Sequence, residues 1–269
     1  MDGRFTSGSY GTWLILTVSE ELEEIRKLEV IAFHSWPARE IVPLGDWIMR
    51  ADAGVTRRAN SVFPYGDPGL PLDEAIEYVV NFYRSRDLVP RFQVTKASVP
   101  RGLDDTLAKH GFAYEMKTYC HTCKIEDVLK VGGGYKVDMS SEPDDEWFSS
   151  YSRISGHSAE VLRVRKGIFE RMPVEKSFAS VRERGAVIGI SIGVIHRGYL
   201  GIFGVRTDEE HMRKGVAKSI NRALVSWAED RGAKEAYLQV EADNNSAIQL
   251  YESLGFRKKF EYWYRQLME

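Results

Sequence analysis

An internal repeat constrains this chain more than any other feature. Residues 91–112, RFQVTKASVPRGLDDTLAKHGF, and residues 237–256, YLQVEADNNSAIQLYESLGF, each read as a short strand carrying Gln-Val, a turn, one amphipathic helix and Gly-Phe. A longer helical pattern precedes each copy, LDEAIEYVVNFYRSR at 72–86 and KGVAKSINRALVSWAEDRG at 214–232. A period of about 145 residues means that one fold has been written twice. The segment KVGGGYK (130–136) sets three consecutive glycines between the copies, punctuation that separates periodic regions. The expected domains are therefore 1–128 and 135–269.

The second half is the more legible. Residues 144–155 and 160–171 predict helices, and SFASVRER, AVIGISIGVI and YLGIFGVRT predict three strands joined at Arg184-Gly185 and Arg197-Gly198. From about Arg213 a helix follows, with Val216, Ile220, Leu224 and Trp227 on one face. A strand at 236–241, a helix at 245–254 and a last strand, FRKKFEYWYRQ, complete the copy. A helix linking the fourth and fifth strands makes them parallel, because antiparallel neighbours need only a hairpin. The fold class is α+β: two tandem domains, each a mixed, mostly antiparallel central sheet flanked by helices.

Charge and composition exclude some functions. The net charge is −2 with both signs interspersed, which gives no strong field for nucleic acid or a membrane surface. The longest apolar runs, WLILTV (13–18) and AVIGISIGVI (186–195), are too short to span a bilayer. No secretory leader is expected from the first residues, so the expected location is cytoplasmic. The two cysteines stand in YCHTC as Cys120 and Cys123. A zinc site needs a second pair that this chain lacks, so no metal is expected and the thiols read as strand residues in a reducing compartment.

The chemistry gathers where strand 199–206 runs into TDEEHMRKGVAKSI. A helix N-terminus presents unpaired N–H groups and the positive end of a dipole, which suits an anion such as a diphosphate. Gly215 lets backbone approach closely, small Ala217 clears space, and Arg213, Lys214 and Lys218 add positive charge. Alone, the motif reads equally well as a solvated helix start.

Together, VRT, the RKGVA segment some six residues on, and LQVEADNNSAIQLYESLGF resemble the GNAT superfamily of acyl-CoA-dependent N-acetyltransferases over roughly 135–269. The resemblance implies a cofactor loop of Met212, Arg213, Lys214, Gly215, Val216, Ala217 and Lys218. Met212 departs from the usual Gln or Arg of that loop. It implies that Phe203, Gly204 and Val205 offer main chain to the pantetheine arm of acetyl-CoA, where the strand splays from 236–241. Asn244 is implied to touch the cofactor, besides being a natural helix cap. Tyr251 is implied to lie beside the thioester sulfur. An amine must lose a proton before it attacks, and Glu241, at the carboxyl end of strand 236–241, reads as the base, directly or through a water, or equally as a solvated strand-end carboxylate. The acceptor is expected to be a small-molecule amine or a peptide, and the chain a monomer or homodimer. A rival reading is a non-catalytic acyl-CoA-responsive regulator or scaffold.

The first copy lacks these features. Leu107 stands opposite Tyr251, and YGDPGLP (65–71) replaces the cationic loop with Asp67 and two prolines. A degenerate copy is expected to wall the acceptor pocket, through a hairpin at 45–64 carrying Arg50, Arg57, Arg58 and Asn60. Arg153 and His157 in SRISGHSAE are further acceptor candidates. Deleting 1–128 is expected to spare cofactor binding, provided that the remainder folds.

Overall fold

A computed structural model describes residues 10–130, 132, 134–172 and 175–268, with only the backbone for 10–18. Part of the expected linker, Val131 and Gly133, lies outside the described residues. The first half contributes α1 (Tyr10–Ser35), β1 (Glu40–Leu44), β2 (Trp47–Ala51), β3 (Val62–Pro64), α2 (Leu72–Arg84), β4 (Arg91–Thr95), α3 (Leu103–Lys109), β5 (Phe112–Lys124) and α4 (Ile125–Leu129). The second contributes β6 (Val137–Ser140), α5 (Asp145–Ser155), α6 (Ala159–Arg171), β7 (Glu175–Glu183), β8 (Ala186–His196), β9 (Tyr199–Thr207), α7 (Val216–Glu229), β10 (Glu235–Glu241), α8 (Asn245–Ser253) and β11 (Arg257–Leu267).

All the described strands form one 11-stranded sheet in the order β1-β2-β3-β4-β11-β5-β10-β9-β8-β7-β6. The α+β expectation holds, but the fourth and fifth strands of the second half, expected as parallel neighbours, do not pair: β5 lies between β10 and β11, and the parallel neighbours joined by a crossover helix are β9 and β10. The centre of the sheet shows what the repeat does in space. Each copy's last strand crosses into the other half: β11 lies between β4 and β5, while β5 lies between β11 and β10. The sequence β3-β4-β11 mirrors β9-β10-β5, so the two copies are related by a pseudo-twofold through the antiparallel β5–β11 pair.

Local chemistry explains the elements. Arg184 (φ 50°) and Gly185 (φ 85°) turn β7 into β8, and Arg197 (φ 49°) and Gly198 (φ 78°) turn β8 into β9. Two successive left-handed residues are what a two-residue hairpin of matching twist requires. Gly111 and Gly255 end α3 and α8 in the left-handed region, and the phenylalanine after each is buried where its strand begins. The repeated Gly-Phe is thus a helix stop followed by a core anchor.

Helix α7 shows how the second core closes. Its buried Val216, Ile220 and Leu224 lie over β8. A Cβ on Gly189 would come 2.4 Å from Val216 Cγ1, and one on Gly193 2.7 Å from Leu224 Cδ2. The glycines of AVIGISIGVI therefore let the helix sit directly on the strand, burying side chains each worth about 1.5–3 kcal/mol.

Helix α1 carries the buried Glu29. Gln93 Nε2 and Thr95 Oγ1 on β4 each donate to it at 3.3 Å. Gln93 Oε1 in turn accepts from the buried Arg50 at 3.0 Å. Burial pushes the Glu29 carboxyl up from 4.5 to about 7, against those hydrogen bonds and the charge of Arg50.

Two predictions follow from this architecture. Residues 129–269 alone lack β4 and β5, so β10 loses one neighbour and β11 both, which bears on the condition that a truncated chain folds. That fragment should show no cooperative thermal transition by circular dichroism, and co-expression with 1–128 should restore one. A sharp transition from the isolated, monomeric fragment would show that the exchanged strands are not required. The second concerns Glu29, which holds its proton more tightly folded than unfolded, so folding stability falls as pH rises from 4.5 to about 7. Glu29→Gln removes that loss. Denaturant unfolding at pH 5 and pH 8 should show the variant gaining on the parent by up to about 3 kcal/mol; parallel behaviour at both pH values would contradict it.

Candidate active site

The β9–β10 ladder runs from Tyr199↔Glu235 to Ile202↔Leu238 and stops. Beyond it, β9 bulges against β8, the register slipping between Ile190↔Arg206 and Ile192↔Phe203. Gly204 sits in the slip at φ 58°, with open space where a Cβ would stand. A bulge at a glycine turns the strand and frees its main chain from the ladder. Phe203, Gly204 and Val205 therefore line a divergence between two parallel strands. The Phe203 carbonyl accepts from Ser191 Oγ of β8 at 3.0 Å.

Past β9 the chain makes a braced loop. Asp208 accepts from Glu210 N at 3.3 Å, and His211 Nε2 lies 2.9 Å from Glu183. Arg153 pairs with Asp208 and also donates to Val187 O at 2.6 Å. Arg153 is thus a loop brace, and Asp208 is not a free surface carboxylate. Arg213 (φ 58°) and Gly215 (φ 89°) bracket Lys214 in the left-handed region. Met212 is 55% exposed, so the departure from the GNAT loop pattern falls on a side chain outside the core.

Helix α7 starts at Val216 with no side-chain cap and no acidic residue in its first turn. Ser219 N donates to Gly215 O at 3.0 Å, so the N–H groups of Val216, Ala217 and Lys218 point outward without helical acceptors. A Cβ on Gly215 would project into open space. This end fits a phosphate: free donors, an open glycine, and Arg213, Lys214 and Lys218 nearby.

Asn244 caps α8, its Oδ1 accepting from Ala247 N at 3.1 Å. Tyr251, three-quarters along α8, is buried against Phe256, ring centroids 6.0 Å apart. Burial pushes its phenol up to about 12, and Arg206 on β9 partly opposes this from across the gap. Its hydroxyl makes no hydrogen bond among the described residues.

Below the divergence lies a cavity of about 180 Å³ at the meeting of the two halves. Glu241 and Gln239 line it from β10, Met116 and Thr118 from β5, Tyr262 and Tyr264 from β11. Trp36, Val55, Thr56, Arg57, Arg58 and Arg165 complete the wall. Met116 (φ 45°) belongs to a bulge where Tyr262↔Thr118 is followed by Tyr264↔Glu115. Extra chain in one strand thus opens the sheet where the copies join. Arg57 pairs with Glu115 at 2.5 Å. Arg58 lies over the rings of Trp36 and Phe203 at 5.1 and 5.4 Å.

The structure brings Glu241, Arg57 and Arg58 together, as the sequence predicts, but not Asn60 or His157. Asn60 Oδ1 accepts from Asp52 N (2.7 Å) and Gly54 N (3.0 Å), while Nδ2 donates to Asp52 O (3.0 Å) and Thr56 O (2.8 Å). Its amide is spent on folding the loop. His157 packs on Tyr151, ring centroids 5.4 Å apart, outside the cavity wall. Arg50, also in the hairpin, is buried and donates to Ser61 and Gln93. Arg165, Gln239, Trp36, Tyr262 and Tyr264 were not singled out by sequence, because only tertiary pairing collects them.

The first copy presents a different helix end. Pro71 precedes α2, and Asp73 and Glu74 occupy its first turn. The preceding loop folds onto the β1–β2 turn: Asp46 N donates to Asp67 O at 2.7 Å, and a Cβ on Gly45 would lie 2.4 Å from Pro68 C. Carboxylates and packed backbone stand where α7 offers donors and space. Leu107, opposite Tyr251, is wholly buried.

Cys120 and Cys123 are free, buried and in different core clusters. Burial pushes both thiols up, Cys123 to about 11. Among the described residues no group of His, Cys, Asp and Glu is arranged to hold a metal. No described helix is long and apolar enough to cross a membrane.

Known proteins share this architecture. A chain described as a GCN5-related N-acetyltransferase from Kribbella flavida superposes with TM-score 0.69 at 17% identity, covering 91% of this chain and 95% of its own. A tandem GNAT protein from the clavulanic acid biosynthesis pathway gives TM-score 0.57 at 14% identity over 73% and 68% of the two chains. In sequence, the uncharacterised N-acetyltransferase YobR of Bacillus subtilis is 32% identical over 91% of this chain and 99% of its own length. The family model described as "Probable histone acetyltransferase Rv0428c C-terminal" matches residues 23–265. By that match, and by the likeness to YobR over almost its whole length, the chain belongs to this family of GNAT acyltransferases.

Proposed function

We propose that the protein transfers the acetyl group of acetyl-CoA to a primary amine, with the cofactor held by the second half alone. The observation that carries this reading is the end of the β9–β10 ladder at Ile202↔Leu238, past which Gln239 and Glu241 of β10 line the cavity. Main chain at Phe203 to Val205 takes the pantetheine arm, and the N–H groups of Val216, Ala217 and Lys218 take the diphosphate. Arg213 and Lys214 add charge at that end, Met212 contributes main chain, and Asn244 borders the arm at the start of α8.

Acetyl-CoA supplies an activated acyl carbon on a thiolate leaving group. An amine of pKa near 10 is almost fully protonated at neutral pH, so the pocket must first remove a proton. Glu241 takes it, directly or through one water, at the carboxyl end of β10. The neutral amine attacks the acyl carbon, the C–N bond forms as the C–S bond breaks, the amine's second proton leaves to solvent, and Tyr251 Oη donates a hydrogen bond to the departing thiolate. With its phenol raised to about 12 by burial, Tyr251 stays protonated throughout the neutral range. A hydrogen bond, not full ionisation, is the role that this acidity allows.

Tyr251→Phe should lower kcat by about ten- to a thousand-fold, with KM for acetyl-CoA little changed. Unaltered kcat where chemistry is rate-limiting would reduce Tyr251 to a packing residue.

Calorimetry with CoA should give one site per chain, and Gly215→Asp should abolish it. Gly198→Asp, equally left-handed at φ 78° and equally open, controls for backbone strain and should bind normally. A second site of similar affinity would show that α2 also binds CoA. Tight binding without turnover of any amine would point to a regulator.

A further inference from the structure

The cavity contains charge that the transfer chemistry does not use. Of its cations, Arg57 is neutralised by Glu115 at 2.5 Å. Arg58 and Arg165 have no carboxylate partner among the described residues. Arg165 donates one N–H to Tyr151 Oη at 2.7 Å, and its Nε is buried without a partner. Arg58 stands over two aromatic rings with a buried Nη1 that is also unpartnered. Burial, then the neighbouring Arg58 and Arg206, push the Arg165 guanidinium below its usual range. Two guanidinium groups facing one small space with unused donors are costly unless an anion enters it.

The opposite wall has the complementary polarity. Gln239 and Glu241 lie two residues apart on β10, so their side chains share a face. Gln239 Oε1 is buried with no donor, and Glu241 is exposed at the mouth. This wall accepts N–H groups and the other donates them. A space of about 180 Å³ is close to the roughly 150 Å³ of an engineered cavity that holds a benzene ring, which suits an acceptor of amino-acid size.

We infer that the acceptor is a compact amine that also carries an oxyanion, a carboxylate or phosphate, held by Arg58 from the first half and Arg165 from the second. Gln239 and Glu241 receive its amino group. The amine end of this inference rests on the transferase reading above, whereas the oxyanion site stands on the arginines alone.

The test uses the full chain, acetyl-CoA and matched acceptors: phenylalanine with phenylalaninamide, and O-phosphoethanolamine with ethanolamine. Thiol release should favour an anionic member over its neutral partner by about a hundred-fold or more in kcat/KM. Arg58→Gln and Arg165→Gln should each lower kcat/KM for that anionic acceptor by about ten- to a hundred-fold. They should barely alter the neutral partner or the KM for acetyl-CoA, and Arg165→Lys should restore part of the loss. Because the readout is a ratio within each variant, general loss of folded protein cancels. Equal or better use of neutral amines, equal loss for both partners, or turnover confined to lysine-containing peptides would overturn the inference. Should no amine turn over, calorimetry of the same anionic probes with CoA-loaded protein decides. Arginine-dependent binding would keep the oxyanion site and sink the transferase reading, and no binding would sink the site.

Discussion

The antiparallel pairing of β5 with β11 is the contact on which the rest of this molecule depends. It runs from Arg257↔Thr122 to Leu267↔Phe112, and each strand spends its other edge on the opposite copy's parallel unit. The outer edges of β4 and β10 would otherwise be bare rows of N–H and C=O groups, open to aggregation. By exchanging last strands, each copy covers the other's edge. The slip in this pairing at Met116 and Lys117 also makes the cavity, so one contact closes the sheet and opens the pocket.

The two copies show how little of function lies in topology. Both place a glycine-containing loop before a helix that packs on the sheet, and both stop the next helix with Gly-Phe. They differ where the helix begins, in the loop before it and its first turn. Asp73, Glu74 and a packed loop make the start of α2 a poor host for an anion. The start of α7 has free donors, no carboxylate and an open Gly215. The same backbone dipole is thus cancelled in one copy and exposed in the other.

What the sequence revealed was local. Arg-Gly hairpins, the glycine stops, the start of α7 and the ladder break at Gly204 each depend on a few consecutive residues, and each was readable. The strand exchange was not, because β5 and β11 carry the same kind of pattern and either would satisfy either edge. Pairing over such separations is chosen by the whole fold. Arg165, Gln239 and Tyr262 escaped for the same reason: nothing near them in sequence marks them, and only the exchange brings them to one cavity. Asn60 misled in the opposite way. A polar residue among arginines looked like a ligand group, yet asparagine is also the side chain best able to bond a loop's own backbone, and here it does so four times.

That loop ties the halves together at the place where the pocket needs it. Asn60 closes residues 52–60 on themselves, which fixes the backbone that presents Arg57 and Arg58. Asp52, at the start of the same loop, pairs with Arg171 at the end of α6, although 94% of its surface is withdrawn from water. A buried pair of this kind is weak evidence for stability, but removing one partner strands the other charge, so it holds the loop and α6 in one register. Arg165 lies on α6 between that clamp and Tyr151, less than two turns from Arg171. The two cavity arginines without a carboxylate partner, Arg58 and Arg165, therefore come from different copies but are positioned by a single clamp. A first copy that had lost its own helix-end site would still be needed to hold Arg58 in the cavity with Arg165, which is a physical reason for the chain to keep both.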